Sequence, residues 1–221
     1  MKKKILLILS IFVASFSFAQ TSPSFGVKAG LLSSGMRGDA VDNFKGILDF
    51  ADGNVTTKDH TGFFAGGYAT LPLGENFSLE PGVYYSLKGY ELNGSLNLKG
   101  LDFLGANAKA VLQSQYVDMP LLLKGNFGGF QIFAGPQISY LAKADLRTTA
   151  GMLGVNLLNK TMDATSQLNR WDAGVTGGIG YEFVNGLNIS ASYDYGLSKA
   201  DANRNVNAYN RGIKLGIGIH L

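Results

Sequence analysis

Ten charged residues share one parity of alternating segments in this chain: Lys28, Glu80, Lys88, Asp118, Lys124, Arg170, Asp172, Glu182, Asp194 and Lys214. Five bases and five acids on a common face can pair into a polar core or line an aqueous path. Acid–base and nucleophilic catalysis have less to work with. The chain has no cysteine and two histidines, His60 and His220. That excludes thiolate nucleophiles, disulfides, thiolate metal sites and a lipid anchor on cysteine. The two histidines fall at opposite ends of the segments that carry them, too far apart for one triad or a shared metal. No G-x-S-x-G, nucleotide loop or calcium-loop spacing is present. Gly178/Gly180 and Gly216/Gly218 lie inside alternating segments, not at helix starts. The reading is a non-enzyme without catalytic residues, metal or cofactor.

Strands must position those charges. Eight segments alternate apolar residues with polar residues or glycine: 25–31, a stretch within 61–71, 77–88, 116–124, 130–140, 170–183, 187–195 and 209–221. In the second, aromatics occupy both parities and the faces stay open. Glycine accounts for 30 of 221 residues. So much glycine argues against a helical bundle, where each internal one costs roughly 1 kcal/mol. Aromatics at 11% and charged residues at 16% exclude a disordered chain.

The connections after the second, fourth and sixth segments are short, over 72–76, 125–129 and 184–186. Those after the first, third, fifth and seventh are long. This alternation belongs to a transmembrane barrel with tight periplasmic turns and long extracellular loops. Phe25, Phe77, Phe130 and Phe183 fall at one end of the outward rows. Tyr85, Tyr140, Trp171, Tyr195 and Tyr209 fall at the other. Two such rings read as aromatic girdles in contact with outer-membrane lipid. A base facing hydrocarbon would cost roughly 2–4 kcal/mol, so the charged face must look into the lumen. Eight strands enclose a lumen just wide enough for side chains. The expectation is an all-β, eight-stranded antiparallel up-and-down barrel plugged by paired charges. A narrow passive porin-like channel is the alternative, and a membrane-embedded enzyme the third reading.

Met1-Lys2-Lys3-Lys4, the apolar run Ile5 to Phe18 and Ser17-Phe18-Ala19 make residues 1–19 a signal peptide, with the barrel over 20–221. The apolar run is too short to span a hydrocarbon core of about 30 Å. Without the three leader lysines, 16 basic residues face 16 acidic ones. A neutral mature chain gives no electrostatic support for a nucleic-acid partner.

Function on such a scaffold sits in the loops. The aspartates of the first long loop, Asp39, Asp42, Asp49, Asp52 and Asp59, read as a solvated surface, with divalent-cation binding as the alternative. Phe44, Ile47 and Leu48 follow Asp42 as an N-cap. Leu98, Leu101, Leu104, Ala108, Val111 and Leu112 recur at three- and four-residue spacing, as do Met152, Val155, Leu158 and Met162. The spacing predicts short amphipathic helices. They would pack on one another as a cap, or present a site for a hydrophobic ligand or a protein partner.

The stretch Tyr116-Val117-Asp118-Met119-Pro120-Leu121-Leu122-Leu123-Lys124 resembles the "Y-L-E-I-P-L-L-L-K" strand of the outer-membrane β-barrel domain family abundant in Bacteroidetes, often labelled porin-family or PorT-like. Trp171-Asp172-Ala173-Gly174 through Gly177-Gly178-Ile179-Gly180-Tyr181-Glu182 resembles that family's "D-x-G-x-x-x-G-x-G-Y-E" strand. Tyr193-Asp194-Tyr195-Gly196-Leu197 and Ile213-Lys214-Leu215-Gly216-Ile217-Gly218 resemble its last two strands. The resemblance covers essentially the whole mature chain. It implies an outer-membrane barrel and carries over no catalytic residue or cofactor. The chain ends His220-Leu221, whereas outer-membrane barrels commonly end in an aromatic.

Overall fold

The computed structural model describes residues 22–38, 54–96, 106–152, 155–202 and 207–221; the expected leader lies outside them. Among the described residues nine antiparallel strands follow one another: β1 (Ser24–Arg37), β2 (Asn54–Pro72), β3 (Phe77–Leu96), β4 (Ala106–Phe127), β5 (Phe130–Met152), β6 (Val155–Asp163), β7 (Trp171–Glu182), β8 (Leu187–Gly196) and β9 (Tyr209–His220). Eight of them form a ring in the order β4-β3-β2-β1-β9-β8-β7-β5, which the β4–β5 pairing closes. Closure leaves no unpaired strand edge in the ring, a requirement for a sheet in hydrocarbon. The ninth, β6, pairs with the far end of β5, from Asp145↔Asp163 to Met152↔Val155.

The expected helices in the long connections are not there. Among the described residues the one helical element is a 3-10 turn, Thr165–Gln167. Met152 ends β5, Val155, Leu158 and Met162 belong to β6, and Ala108, Val111 and Leu112 belong to β4. The physical reason is that residues four apart share a face in a strand as well as in a helix. Here the ladder wins, because β2–β3 stays paired out to Asn54↔Ser95 and β4–β5 out to Ala106↔Met152. A short helix through Gly151 and Gly154 would be marginal. Phe44, Leu48, Leu98, Leu101 and Leu104 lie outside the described residues.

At the opposite end the connections are tight. Phe127 pairs with Phe130 across Gly128 and Gly129, whose φ of +64° and +92° suit the left-handed two-residue turn that matches strand twist.

Polarity is inverted relative to a protein in water. Val27, Leu31, Val83, Leu123, Ile132, Ile179 and Leu215 are exposed, whereas Glu80, Lys88, Asp118, Lys124, Asp194 and Lys214 are buried. An apolar exterior around a charged interior is stable only where the surrounding solvent is hydrocarbon. Exposed aromatics bound the apolar belt, with Phe25, Phe77, Phe130 and Phe183 at the short-turn end. Tyr85, Tyr140, Trp171 and Tyr195 are exposed at the other. Tyr85, Val117, Tyr140 and Trp171 are in fact one register row across β3, β4, β5 and β7. Tyr209 is half-buried, and the Arg37 guanidinium lies 3.8 Å from the Tyr195 ring centre and 4.9 Å from that of Tyr209.

Aromatic rings cross the lumen where the facing strands carry glycine. A Cβ on Gly216 would stand 2.9 Å from Phe64 Cζ, and one on Gly178 2.8 Å from Phe133 Cζ. The faces of β2 are settled by the same packing: Phe64 and Tyr68 are buried and Phe63 is exposed.

Candidate functional site

The interior holds two polar clusters separated by buried Leu32, Phe64, Tyr68 and Tyr84. Asp118 of β4 centres the first, in the same register row as Tyr84 and Ser139. Lys88 and Ser139 donate to its Oδ1 at 2.7 and 2.6 Å, and Ser86 and Lys214 to its Oδ2 at 2.7 and 3.1 Å. Lys214 also reaches Asp194 at 2.7 Å, and Asp194 accepts from the Thr176 hydroxyl. The ammonium groups rest over rings, Lys88 4.7 Å from the centre of Tyr116 and Lys214 5.6 Å from that of Phe64. Cation–π contact adds a second compensation for their burial.

The second cluster lies toward the short turns. Glu80 is ion-paired with Lys124 and, at 3.8 Å, with Lys28. Glu182 accepts from Gln131 at 2.5 Å and faces His220 Nδ1 at 2.8 Å, while His220 Nε2 lies 3.1 Å from Thr70 Oγ1. Hydroxyl, imidazole and carboxylate in this order have the connectivity of a catalytic triad. Among the described residues, the cavities of about 560, 590 and 500 Å³ are lined by other side chains. These contacts tie β2, β9 and β7 together at the short-turn mouth of the barrel.

Two of the ten charges stand apart. Arg170 precedes the first residue of β7, is exposed, and donates to the backbone carbonyls of Leu141 and Ala142, both at 3.1 Å. Strand alternation has ended there, so its parity carries no facing. Asp172 faces inward but accepts from Asn210 at 2.8 Å rather than from a base, and its Oδ1 is buried without a hydrogen-bond partner. The charge pattern alone misses Ser86, Thr176, Ser139 and Gln131, the neutral donors that complete the carboxylates' shells. Their signal was their place on the charged parity. Among the described residues no group of His, Asp and Glu could hold a metal ion.

Beyond the aromatic row, β2 to β6 continue as a wall. Its inner face carries a small apolar core of Tyr116, Leu141, Ala144 and Ala164 with Leu112, Leu146 and Leu168. Residues 164–170 cross over it: Ala164 N–H donates to Ala144 O at 2.9 Å, and Ala144 N–H to Thr165 Oγ1 at 3.0 Å. Asp163 Oδ1 accepts the Thr165 N–H at 2.7 Å. The Thr165 hydroxyl and then that N–H hold the Asp163 carboxyl below the usual carboxylate range. Leu168 bridges to Asp201, and Ala202 N–H donates to Gln167 O at 3.0 Å. The wall's outer face holds the cavity of about 560 Å³, lined by His60, Glu91, Lys109, Val111, Gln113, Asp145, Arg147, Thr149 and Thr161. The other two large cavities are apolar grooves in the lipid-facing belt, one at Ala29, Ala191 and Leu215 and one at Ala134, Val175 and Tyr193.

A family model described as outer membrane protein beta-barrel domain matches residues 18–202. No curated protein matches the chain. Among solved structures, the chain is similar to Ail, the attachment invasion locus protein of Yersinia pestis, in complex with the heparin analogue sucrose octasulfate. The identity is 11%, over 91% of this chain and 100% of that chain, with a TM-score of 0.45. It is also similar to Neisserial surface protein A, at 13% identity over 91% and 99% of the two chains with a TM-score of 0.37. The outer membrane protein OprG from Pseudomonas aeruginosa is 13% identical over 90% and 96% of the two chains, with a TM-score of 0.38.

Proposed function

Since the chain belongs to the outer membrane protein beta-barrel domain family, we propose that this outer-membrane barrel is closed and non-catalytic and acts through the wall it raises above the membrane. The observation that carries the reading is the lumen. Asp118, Lys88, Lys214 and Asp194 form one continuous hydrogen-bonded chain across it, and Phe64, Tyr68 and Tyr84 fill the next layer. An eight-stranded barrel has no room for a water column beside such side chains. The segments 116–124 and 171–182 support a place in the Bacteroidetes, PorT-like branch of the family. With short turns periplasmic and the wall extracellular, as in bacterial barrels generally, the wall is the part that meets ligands or partners.

Planar-bilayer recording of the refolded protein tests the reading. The expected record has no steady unitary step while the same sample keeps its heat-dependent gel mobility. An ohmic step would restore the porin-like channel.

A further inference from the structure

The outer face of β3 to β6 changes chemistry along the strands. The row Tyr85–Val117–Tyr140 belongs to the upper girdle. The next same-face row is Leu87–Gln115–Lys143, where Ala142 is skipped by the register and Lys143 stays opposite Gln115. Beyond it come Gln113–Asp145 and then Glu91–Val111–Arg147–Thr161, which line the cavity of about 560 Å³. The same sheet face thus passes from hydrocarbon to aromatic to charged within a few residues.

The charges there are nearly balanced. Lys109 pairs with Glu91 and Lys143 with Asp145, each at 2.7 Å. Arg147 alone keeps its charge uncompensated: its Nε donates to Asn159 Oδ1 at 3.2 Å, and among the described residues no carboxylate lies within ion-pair distance of it. A guanidinium offers a planar fork of donors that matches phosphate or carboxylate with two parallel bonds. Around it, Gln113, Thr149 and Thr161 offer groups that both donate and accept. One cation among paired charges and hydroxyls complements a sugar that carries an anionic group.

Position names the source. From Val117 in the girdle row to Gln113 and Lys109 is four to eight residues of β4. At about 3.3 Å per residue and a tilt near 40° this places the cavity roughly 10–20 Å above the girdle. The interfacial region of a phospholipid bilayer extends only about 5–8 Å beyond its hydrocarbon. A lipid that fills the cavity must carry a longer, saccharide headgroup. We propose that the outer face of the β3–β6 wall binds the phosphorylated saccharide headgroup of an outer-leaflet glycolipid, with Arg147 on the anionic group. This rests on the reading of the wall as the barrel's working surface.

The test titrates the refolded full chain in micelles with a de-acylated, phosphorylated lipopolysaccharide headgroup, by calorimetry. Wild type is expected to bind. Arg147→Ala should weaken binding about tenfold or more, as loss of a charge-assisted bidentate contact does, with Arg147→Lys between the two. Thr149→Val should weaken it less, and the dephosphorylated headgroup should bind wild type no better than the phosphorylated one binds Arg147→Ala. Each variant is first checked for the heat-dependent mobility of the folded barrel. Equal affinity of wild type and Arg147→Ala, or tighter binding of a soluble sulfated glycan than of the headgroup, overturns the proposal. Either result leaves the closed-barrel reading intact, since only conductance overturns that.

Discussion

Asp118 accepts four hydrogen bonds, from Lys88, Ser139, Ser86 and Lys214, which saturates the capacity of a carboxylate. Fully buried, it is stable as a charge only in that shell. Asp118→Asn removes the charge that compensates Lys88, whereas Lys214 retains Asp194. Breaking a buried pair from one side costs about 3–5 kcal/mol. The expected result is a lower denaturant midpoint for the refolded variant, recovered for the most part in Asp118→Asn/Lys88→Met, which leaves no ammonium uncompensated. An unchanged midpoint for the single variant would remove Asp118 from the centre of the network. At this scale the charges were legible, because a base or acid in a strand of this barrel has one face open to it. Arg170 was misleading for the converse reason: outside a strand, parity means nothing. Asp172 was legible in facing but not in partner, since an amide on β9 serves it in place of a base.

The strands are legible in the sequence only up to the girdle. Below it, lipid enforces strict alternation of apolar and polar residues. Above it, Leu112 and Leu146 face a protein cap, and Gln113, Asp145 and Arg147 face outward, so the lipid pattern disappears while the strands run on. What remained was apolar residues at three- and four-residue spacing; the four-residue intervals keep one face in a strand as in a helix, and the three-residue intervals put apolar residues on both faces of the wall. The register slips between Asp59 and Phe64 and at Gln115/Tyr116 add to the loss, because each moves one residue out of phase. The cap that resulted is tied down by Asp163 and Thr165. Asp163 has its pKa lowered in the folded chain, first by the Thr165 hydroxyl and then by the Thr165 N–H. A carboxylate of this kind stabilises above its unfolded pKa and loses that contribution as pH falls through the lower folded value. Amide exchange at Thr165 and Ala144, corrected for intrinsic rates, should therefore be flat from neutral pH to the ordinary carboxylate range and rise below it. In Asp163→Ala the high-exchange behaviour should be present at every pH. A pH-independent profile in wild type would detach the cap from this carboxylate.

The whole molecule is a closed ring whose exterior is matched to hydrocarbon and whose interior must therefore satisfy every polar group internally. Eight strands set the width, and the glycines at 82, 178 and 216 let rings and long charged side chains meet across it. On the proposed reading, occlusion of the lumen is a property of side chains and not of the sheet. The aromatic layer and the charged layer occlude the same axis at different depths, so removing either one alone leaves the other in place. Phe64→Ala/Tyr84→Ala should keep the barrel non-conducting, and so should Lys88→Ala/Asp118→Ala, which deletes a pair without stranding either partner. Combining the four substitutions removes both of these layers and should give a small, steady conductance past the Glu80 cluster in planar bilayers, with the heat-dependent mobility shift reporting that the ring has stayed closed. Wild type serves as the silent reference. If the fourfold variant keeps its mobility shift and remains silent, the occlusion lies instead in the second cluster, where Glu80 pairs with Lys124 and Lys28. That cluster would then close the barrel, and the Asp118 network would serve its stability alone.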